Sequence, residues 1–458
     1  MKTSMTLDFR RSAPEPLSPV SFAIAQPFQT TLNNGLRVII FENERLPLVS
    51  FRLAFHTGDI DDPGGWTGLT SAMTAMLTEG TENHTSVQLA EKIERLGANI
   101  GASSSDDFTI ISASSLSLYS SEVLGLLSEI VLRPTFPESE LDLYRRNTIE
   151  HLKFQRSQPS FLAGEQASRL VYGQHPYATV SPSAADIEKL DRDTLASYRE
   201  KALIPNNAMM IVVGDIRRAE FSAELNDLFG EWQAGVAHAS TFAEPARRTE
   251  RTLTIVDRPG SAQSNIVLNN LSIDRNDPDY FAMIVMNQVL GAGASSRVFM
   301  NLREEKGYTY GAYTRLNAKR LTGDIEATAE VRNEVTGESL KEFFFELGRI
   351  RDEKVDEEEL ADAKNFLTGV FPIRAETQEG LTNLIVNQHL YGLPDDYLQT
   401  YRDNVNSVTA EDVQRVARAH IRPDEMAIVI VGDAKQVVPQ AKEYAASVEI
   451  FDTEGNKK

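Results

Sequence analysis

With 458 residues, 41% of them hydrophobic and 24% charged, the chain has the composition of a globular protein of two or more domains, not of a disordered one. Its net charge of -20 and pI near 4.9 argue against a nucleic-acid partner, which needs clustered Lys and Arg, and suit solubility or cationic peptides. Cysteine is absent, which excludes disulfides, thiolate metal sites and cysteine nucleophiles together.

The first 27 residues carry Lys2, Arg10 and Arg11 but no apolar run of signal-peptide length, and their Pro and Ser content reads as a flexible N-terminal arm. No run reaches the roughly 20 apolar residues that span a bilayer, so the expected location is cytoplasmic, with no membrane span. An Asn34-Gly35 turn separates strands expected at 31–33 and 36–41, and a third follows Pro47 at 49–55. A helix is expected between Gly65 and Gly80, with Gly80 as its left-handed cap. The next opens on the capping box Thr85-x-x-Gln88 and closes at Gly97. Strands at 98–104 and 108–115, helices at 119–132 and 138–156, and a shorter helix before Tyr172-Gly173 come next. A helix at 193–202 then leads past Pro205 to the buried strand run 209–213, which ends in Gly214-Asp215.

The second half repeats this order. Pro205 stands nine positions before Gly214, as Pro423 does before Gly432; the Tyr172-Gly173 and Tyr391-Gly392 pairs precede the same glycines by 41 and 40 positions. Glu140-Leu141 matches Glu359-Leu360 at an offset of 219, and Asp62-Pro63 matches Asp277-Pro278 at 215. An ordered series at nearly one offset implies an internal duplication. The expected organisation is an arm (1–27), an α+β domain (28–233), a linker (234–251), a second α+β domain (252–448) and a flexible tail (449–458).

The first helix lies in Gly65-Trp-Thr-Gly-Leu-Thr-Ser-Ala-Met-Thr-Ala-Met-Leu-Thr-Glu-Gly80-Thr81. With Leu96-Gly97-Ala98, Pro205-x-Asn207 and the Val-Gly-Asp strand ends, this stretch resembles the pitrilysin/insulinase family of zinc metallopeptidases, its mitochondrial processing peptidase-like members in particular. The resemblance covers nearly the whole chain. It implies two homologous domains, each a mixed, mostly antiparallel sheet packed with helices, forming a clamshell. In the family this helix carries an inverted His-x-x-Glu-His motif; here the five positions read Ser71, Ala72, Met73, Thr74 and Ala75. The motif's imidazoles hold zinc and its carboxylate takes a proton from metal-bound water, which Ser, Thr and Ala cannot do. The family's third ligand, a Glu about 76 residues beyond the second His, corresponds to His151, with Glu150 beside it. One imidazole alone makes no zinc site. His56, His84, His175, His238, His389 and His420 include no pair at turn or strand spacing, so no cofactor is expected in this chain.

A second family feature is retained. The run from Asn287 through Gly291, Gly293, Arg297, Arg303 and Gly307 to Tyr310 resembles the family's glycine-containing loop, helix and Arg/Tyr pair seven positions apart. In the family the pair faces the zinc helix of the other half or of a partner subunit. A guanidinium offers a rigid fork of donors to substrate carbonyls, and a phenol can donate to a developing oxyanion. By pattern alone, 303–306 is a solvated helix terminus and Tyr308 and Tyr310 are same-face strand residues. The helix is expected to end at Gly307, with Arg303 in its last turn and Tyr310 on the strand beyond. Gly291 and Gly293 either contact substrate backbone or break a helix. Segment 101–110 corresponds to the family's substrate-pairing edge strand, here open to peptide or covered by a partner.

The resemblance thus implies a zinc-less subunit of a heteromeric peptidase. A homologous partner would supply His-x-x-Glu-His and zinc, an unstructured peptide would be the substrate, and Arg303 and Tyr310 would act in trans. The alternative is a catalytically inert scaffold of the same fold.

Overall fold

The computed structural model describes residues 24, 26–237 and 240–458; most of the expected N-terminal arm, and His238, lie outside the described residues. The first half contains strands β1 (Phe28–Thr31), β2 (Arg37–Glu42) and β3 (Leu48–Phe55), then helices α1 (Leu69–Met76) and α2 (Ser86–Arg95). Strands β4 (Asn99–Ser104) and β5 (Thr109–Leu116) lead to α3 (Ser120–Leu132), α4 (Glu138–Ser157) and α5 (Pro159–Tyr172). Helices α6 (Ala184–Glu188) and α7 (Arg192–Ala202), strand β6 (Ala208–Gly214) and helix α8 (Arg218–Phe229) complete it.

The second half contains β7 (Thr252–Asp257), β8 (Gln263–Ser272), α9 (Tyr280–Leu290), the short α10 (Arg297–Phe299), β9 (Thr309–Ala318) and β10 (Gly323–Arg332). Helices α11 (Thr336–Asp352), α12 (Glu357–Glu376), α13 (Gln378–Leu390), α14 (Tyr397–Ser407) and α15 (Ala410–His420) follow. Strand β11 (Ala427–Gly432), helix α16 (Ala434–Ala441) and strand β12 (Ser447–Phe451) end the order.

Each half builds one six-stranded sheet, in the orders β1-β2-β6-β3-β5-β4 and β12-β7-β11-β8-β10-β9. Set aside the first strand of each, and the remaining five correspond one to one. In both, a parallel pair (β2/β6, β7/β11) is followed by antiparallel neighbours. The duplication read from residue spacing is therefore a duplication of topology. Every residue of β6 and β11 is buried, as continuous apolar runs covered on both faces require.

The cover is exchanged between halves. One face of each sheet packs on helices of its own half, whereas the other receives a helix from the opposite half. From the first half, α5 sets Leu162, Ala163 and Ala167 against Val256, Val267, Val429 and Val431. From the second, α13 sets Ile385, Val386 and Leu390 against Ile39, Met209, Ile211 and Val213. Each buried aliphatic side chain contributes about 1.5–3 kcal/mol, so neither core is complete without the other half. Polar contacts between the β4–β5 and β9–β10 turns, and between the end of α5 and β10, tie the halves further. Lys319 Nζ donates to Asp106 Oδ2 at 2.6 Å, the Arg320 backbone N–H to Asp107 Oδ2 at 3.0 Å, and the Tyr172 hydroxyl to Asp324 at 2.5 Å.

The expected capping box on α2 forms, with Gln88 N donating to Thr85 Oγ1 at 3.3 Å and Thr85 N to Gln88 Oε1 at 3.0 Å. The strand expected at 31–33 lies earlier, at Phe28–Thr31, and three further elements differ from expectation. Helix α1 ends at Met76, not Gly80. Gly80, at φ 147°, pairs with Thr85 in an isolated bridge and lies against Pro137, where a Cβ would come within 2.9 Å. The helix before Tyr172 is a full 14 residues, because its apolar face has a second sheet to cover. Residues 449–451, expected in a loose tail, belong to β12, which pairs in parallel with β7. Among the described residues no helix is long and apolar enough to cross a membrane.

Candidate functional site

Helix α1 is anchored by a carboxylate from outside it. Asp62 accepts from the N–H groups of Gly68 (2.7 Å), Leu69 (3.2 Å) and Thr70 (2.8 Å), and from the Thr70 hydroxyl (2.7 Å). It thereby satisfies donors that a helix start leaves unpaired and places negative charge at the positive end of the helix. The anchored first turn presents Ser71 to a cavity of about 220 Å³, which Asp59, Asp62, Asp106, Tyr144 and His151 also line.

Ser71 Oγ donates to Asp59 Oδ1 at 3.0 Å and lies 2.9 Å from Ser104 Oγ, which itself donates to Asp59 at 2.9 Å. Burial pushes the Asp59 carboxyl up to about 6. The two hydroxyls pull it back, and neighbouring Asp62 and Asp106 push in the same direction as burial. Burial also raises Asp62 above the usual carboxylate range, outweighing its hydrogen bonds.

Thr74, at the position of the family's general base, is 1% exposed, and its Oγ1 has no partner. Ala75 is half-buried beside it, and His151 is exposed on α4. Two of the three ligand positions, Ser71 and His151, therefore reach one cavity. The donor set does not fit zinc: two hydroxyls and a carboxyl raised to about 6 stand where the family has imidazoles. Among the described residues no group of three or more His, Cys, Asp or Glu is arranged to hold a metal.

The Arg/Tyr segment is built by local irregularities. Helix α10 runs into a π-helical turn, Met300–Glu305, before Gly307 turns the chain at φ 65°. Its base is fixed by Arg297, which grips Glu359 through two bonds of 2.8 and 2.6 Å, and by Asn301, which donates to Glu346 at 2.8 Å. Arg303 stands 5.0 Å over the Phe299 ring, and Phe299 tilts against Tyr313 at 5.5 Å. On β9 a bulge interrupts the ladder between Ala329 and Val331, and the Thr309 hydroxyl braces it by donating to Gly311 O (2.9 Å) and Glu330 O (2.7 Å). Bulges re-aim side chains. Here Tyr310 is 91% exposed.

Arg303 and Tyr310 thus occupy the expected helix end and strand start. Neither lines the cavity of Ser71 and His151. Gly291 accepts from Thr314 N at 2.9 Å, and a Cβ there would lie 2.4 Å from that nitrogen, so packing against β9 accounts for this glycine. At Gly293 a Cβ would meet only the Gln288 amide nitrogen, at 3.1 Å. Of segment 101–110, only the part through Ser104 lies on β4, the last strand of its sheet; the rest is turn and the start of the internal strand β5. Sequence reading passed over Asp59, Ser104 and Thr309. The acidic run 59–62 was visible, but nothing in it separates a buried carboxyl from a solvated one.

Residues 37–179 match the family model described as Insulinase (Peptidase family M16), and residues 189–367 the model described as Peptidase M16 inactive domain. The "Non-peptidase homolog YmxG" of Helicobacter pylori is 23% identical, over 87% of this chain and 92% of that one. The "Uncharacterized zinc protease YmxG" of Bacillus subtilis is 22% identical, over 84% and 93%. A solved peptidase M16 inactive domain from Pseudomonas fluorescens superposes with a TM-score of 0.84 at 28% identity, covering 89% of this chain and 98% of that one. Family models on both halves, matched relatives across nearly their full lengths and a motif helix without its ligands converge: the chain belongs to the insulinase family, M16, and lacks that family's zinc motif.

Proposed function

We propose that this chain is the non-zinc subunit of a heteromeric M16 peptidase, closing a chamber around unstructured peptide while a homologous partner carries His-x-x-Glu-His and zinc. One observation carries the reading. The groups suited to a substrate carbonyl and its oxyanion, Arg303 and Tyr310, are turned to solvent, while the chain's own motif helix holds no catalyst. A guanidinium and a phenol displayed outward act on a scissile bond only if a second chain brings that bond to them. Gly291 and Gly293 lie in the loop leading to Arg303 and would border the bound peptide.

A tagged pull-down from the native cell, with co-purifying chains identified by mass spectrometry, tests the reading. A stoichiometric partner bearing His-x-x-Glu-His is expected; recovery of the chain alone, or with unrelated proteins only, overturns it. The name of the Helicobacter pylori relative, a non-peptidase homolog, favours a second reading, an inert scaffold of the same fold. On that reading the partner complex, if present, is indifferent to Arg303 and Tyr310.

A further inference from the structure

Beside the loop that holds Gly291 and Gly293, the end of α9 and the start of α12 enclose a notch of about 200 Å³. Asp356, Glu358, Glu359 and Asp362 line it, and no basic side chain does. Two of these acids are committed within the chain. Glu359 is gripped by Arg297, whose side chain is 4% exposed, and Asp356 caps α12 by accepting from Glu359 N at 2.8 Å. Among the described residues Glu358 and Asp362 make no hydrogen bond or ion pair, although they stand one turn apart on α12, where like charges repel. The positive end of a helix accounts for acids in its first turn, Glu357 to Glu359, but its effect has faded at Asp362.

Gln288 points the same way by a different route. The residue is only 9% exposed, yet among the described residues its side-chain amide makes no hydrogen bond. That amide lines the notch and keeps solvent contact through it. Its nitrogen lies 3.1 Å from where a Cβ on Gly293 would stand, which places the amide beside the loop. Buried polar groups without partners are rare in native proteins, and nothing in the chain pins this one, so its oxygen is free to turn to a donor in the notch. One further turn along α12, Phe366 borders the notch and is 53% exposed.

We propose that this notch binds an organic cation, an ammonium or guanidinium carried on an aliphatic stem. Glu358 and Asp362 neutralise the charge, Gln288 Oε1 accepts one of its N–H donors, and Phe366 covers the stem. The carboxylates exclude an anion. A bare metal ion fits less well, since among the described residues no group of three or more acidic side chains converges to hold one. Two sources offer the chemistry: a basic side chain of a peptide passing the Gly293 loop, and a free polyamine. The site uses residues of this chain alone, so it stands with or without a zinc-bearing partner.

The probes are N-acetyl-glycyl-lysyl-glycine amide and spermidine, titrated by calorimetry into the full chain at low salt. A net charge of -20 gathers cations everywhere, so the comparisons decide. Saturable binding is expected, with the norleucine peptide, which has the same stem and no ammonium, failing to bind. Asp362→Asn, at an exposed position, should weaken binding at least about tenfold, and so should Gln288→Leu, which changes no charge. Glu91→Gln, exposed on α2 far along the chain, should leave it unchanged. Tighter binding of the lysine peptide assigns the notch to peptide, and tighter binding of spermidine assigns it to a polyamine. No saturable binding of either cation, binding that survives either notch substitution, equal binding of the norleucine peptide, or an equal loss in Glu91→Gln each overturns the proposal.

Discussion

Ser71 donates its hydroxyl to Asp59 at 3.0 Å, at the position where active relatives project a metal-binding imidazole. The lost ligand is replaced by a closed local network, since Ser104 donates to the same carboxylate from the end of β4. What remains of the site is an acid kept largely from water, with Asp62 and Asp106 nearby pushing in the same direction as burial. Its cost is electrostatic and depends on pH.

Asp59 keeps its proton up to about pH 6 in the folded chain, against 3.8 for an ordinary carboxyl. Between those values the folded state binds more protons than the unfolded one, so stability falls as pH rises through this window and then levels off. The gap corresponds to about 3 kcal/mol, and partial exposure of the group reduces this to about 2 kcal/mol. Asp59→Asn should therefore stabilise the chain by about 2 kcal/mol at pH 7.5 and by about 0 at pH 3.5. Urea unfolding at the two pH values reads the difference. An equal gain at both would show that ionisation of Asp59 is not its source.

The shared cavity of Ser71 and His151 makes the site restorable in part. In Ser71→His/Ala75→His, two imidazoles one turn apart join His151, the three-histidine set that holds zinc at about 2.0–2.1 Å. Equilibrium dialysis with metal analysis should find one zinc per chain in this variant and none in the parent. Adding His151→Ala should weaken binding at least about tenfold. Because Thr74 supplies no general base, the zinc-loaded variant should hydrolyse no peptide. Zinc binding indifferent to His151 would show that α4 does not bring it within reach.

Much of the fold is legible in the sequence. Strand alternation set β2 and β3, the Thr85/Gln88 box set α2, and the spacing of Pro205 and Pro423 from their glycines marked the repeated sheet. The helix exchange was not legible, because the apolar face of α5 says that it is buried without saying which sheet buries it. Nor was the geometry around Arg303 and Tyr310. The π-helical turn rests on Asn301 reaching Glu346, and the bulge on Thr309 reaching Glu330, bonds between residues distant in sequence. Asp59 is perturbed by burial, a property of the assembled cavity that no residue spacing records.

The two loop glycines separate packing from recognition. At Gly291 an added methyl would meet the backbone nitrogen of Thr314 at 2.4 Å, and backbone in a sheet cannot yield cheaply. Gly291→Ala should lower stability by about 2–3 kcal/mol. At Gly293 the obstacle is the flexible Gln288 amide at 3.1 Å, and Gly293→Ala should stay within about 0.5 kcal/mol of the parent. Thermal unfolding of both variants is the measurement. A stable Gly291→Ala would show that close packing against Thr314 is not what requires a glycine there.

Tyr310 offers the sharpest division between subunit and scaffold. With the side chain 91% exposed, Tyr310→Phe should change the stability of the isolated chain by less than about 0.5 kcal/mol. In the reconstituted complex it removes one donor to the oxyanion, which elsewhere costs about 2.7–4 kcal/mol, or about 10²–10³ in kcat. Arg303→Lys keeps the charge and loses the fork, so it should raise KM more than it lowers kcat if the guanidinium binds substrate carbonyls in the ground state. Peptide turnover by the complex, measured with each variant, reads both. Rates unchanged in both variants would mean that the surface presented by Arg303 and Tyr310 never meets the scissile bond, and the chain would then serve its partner by shape alone.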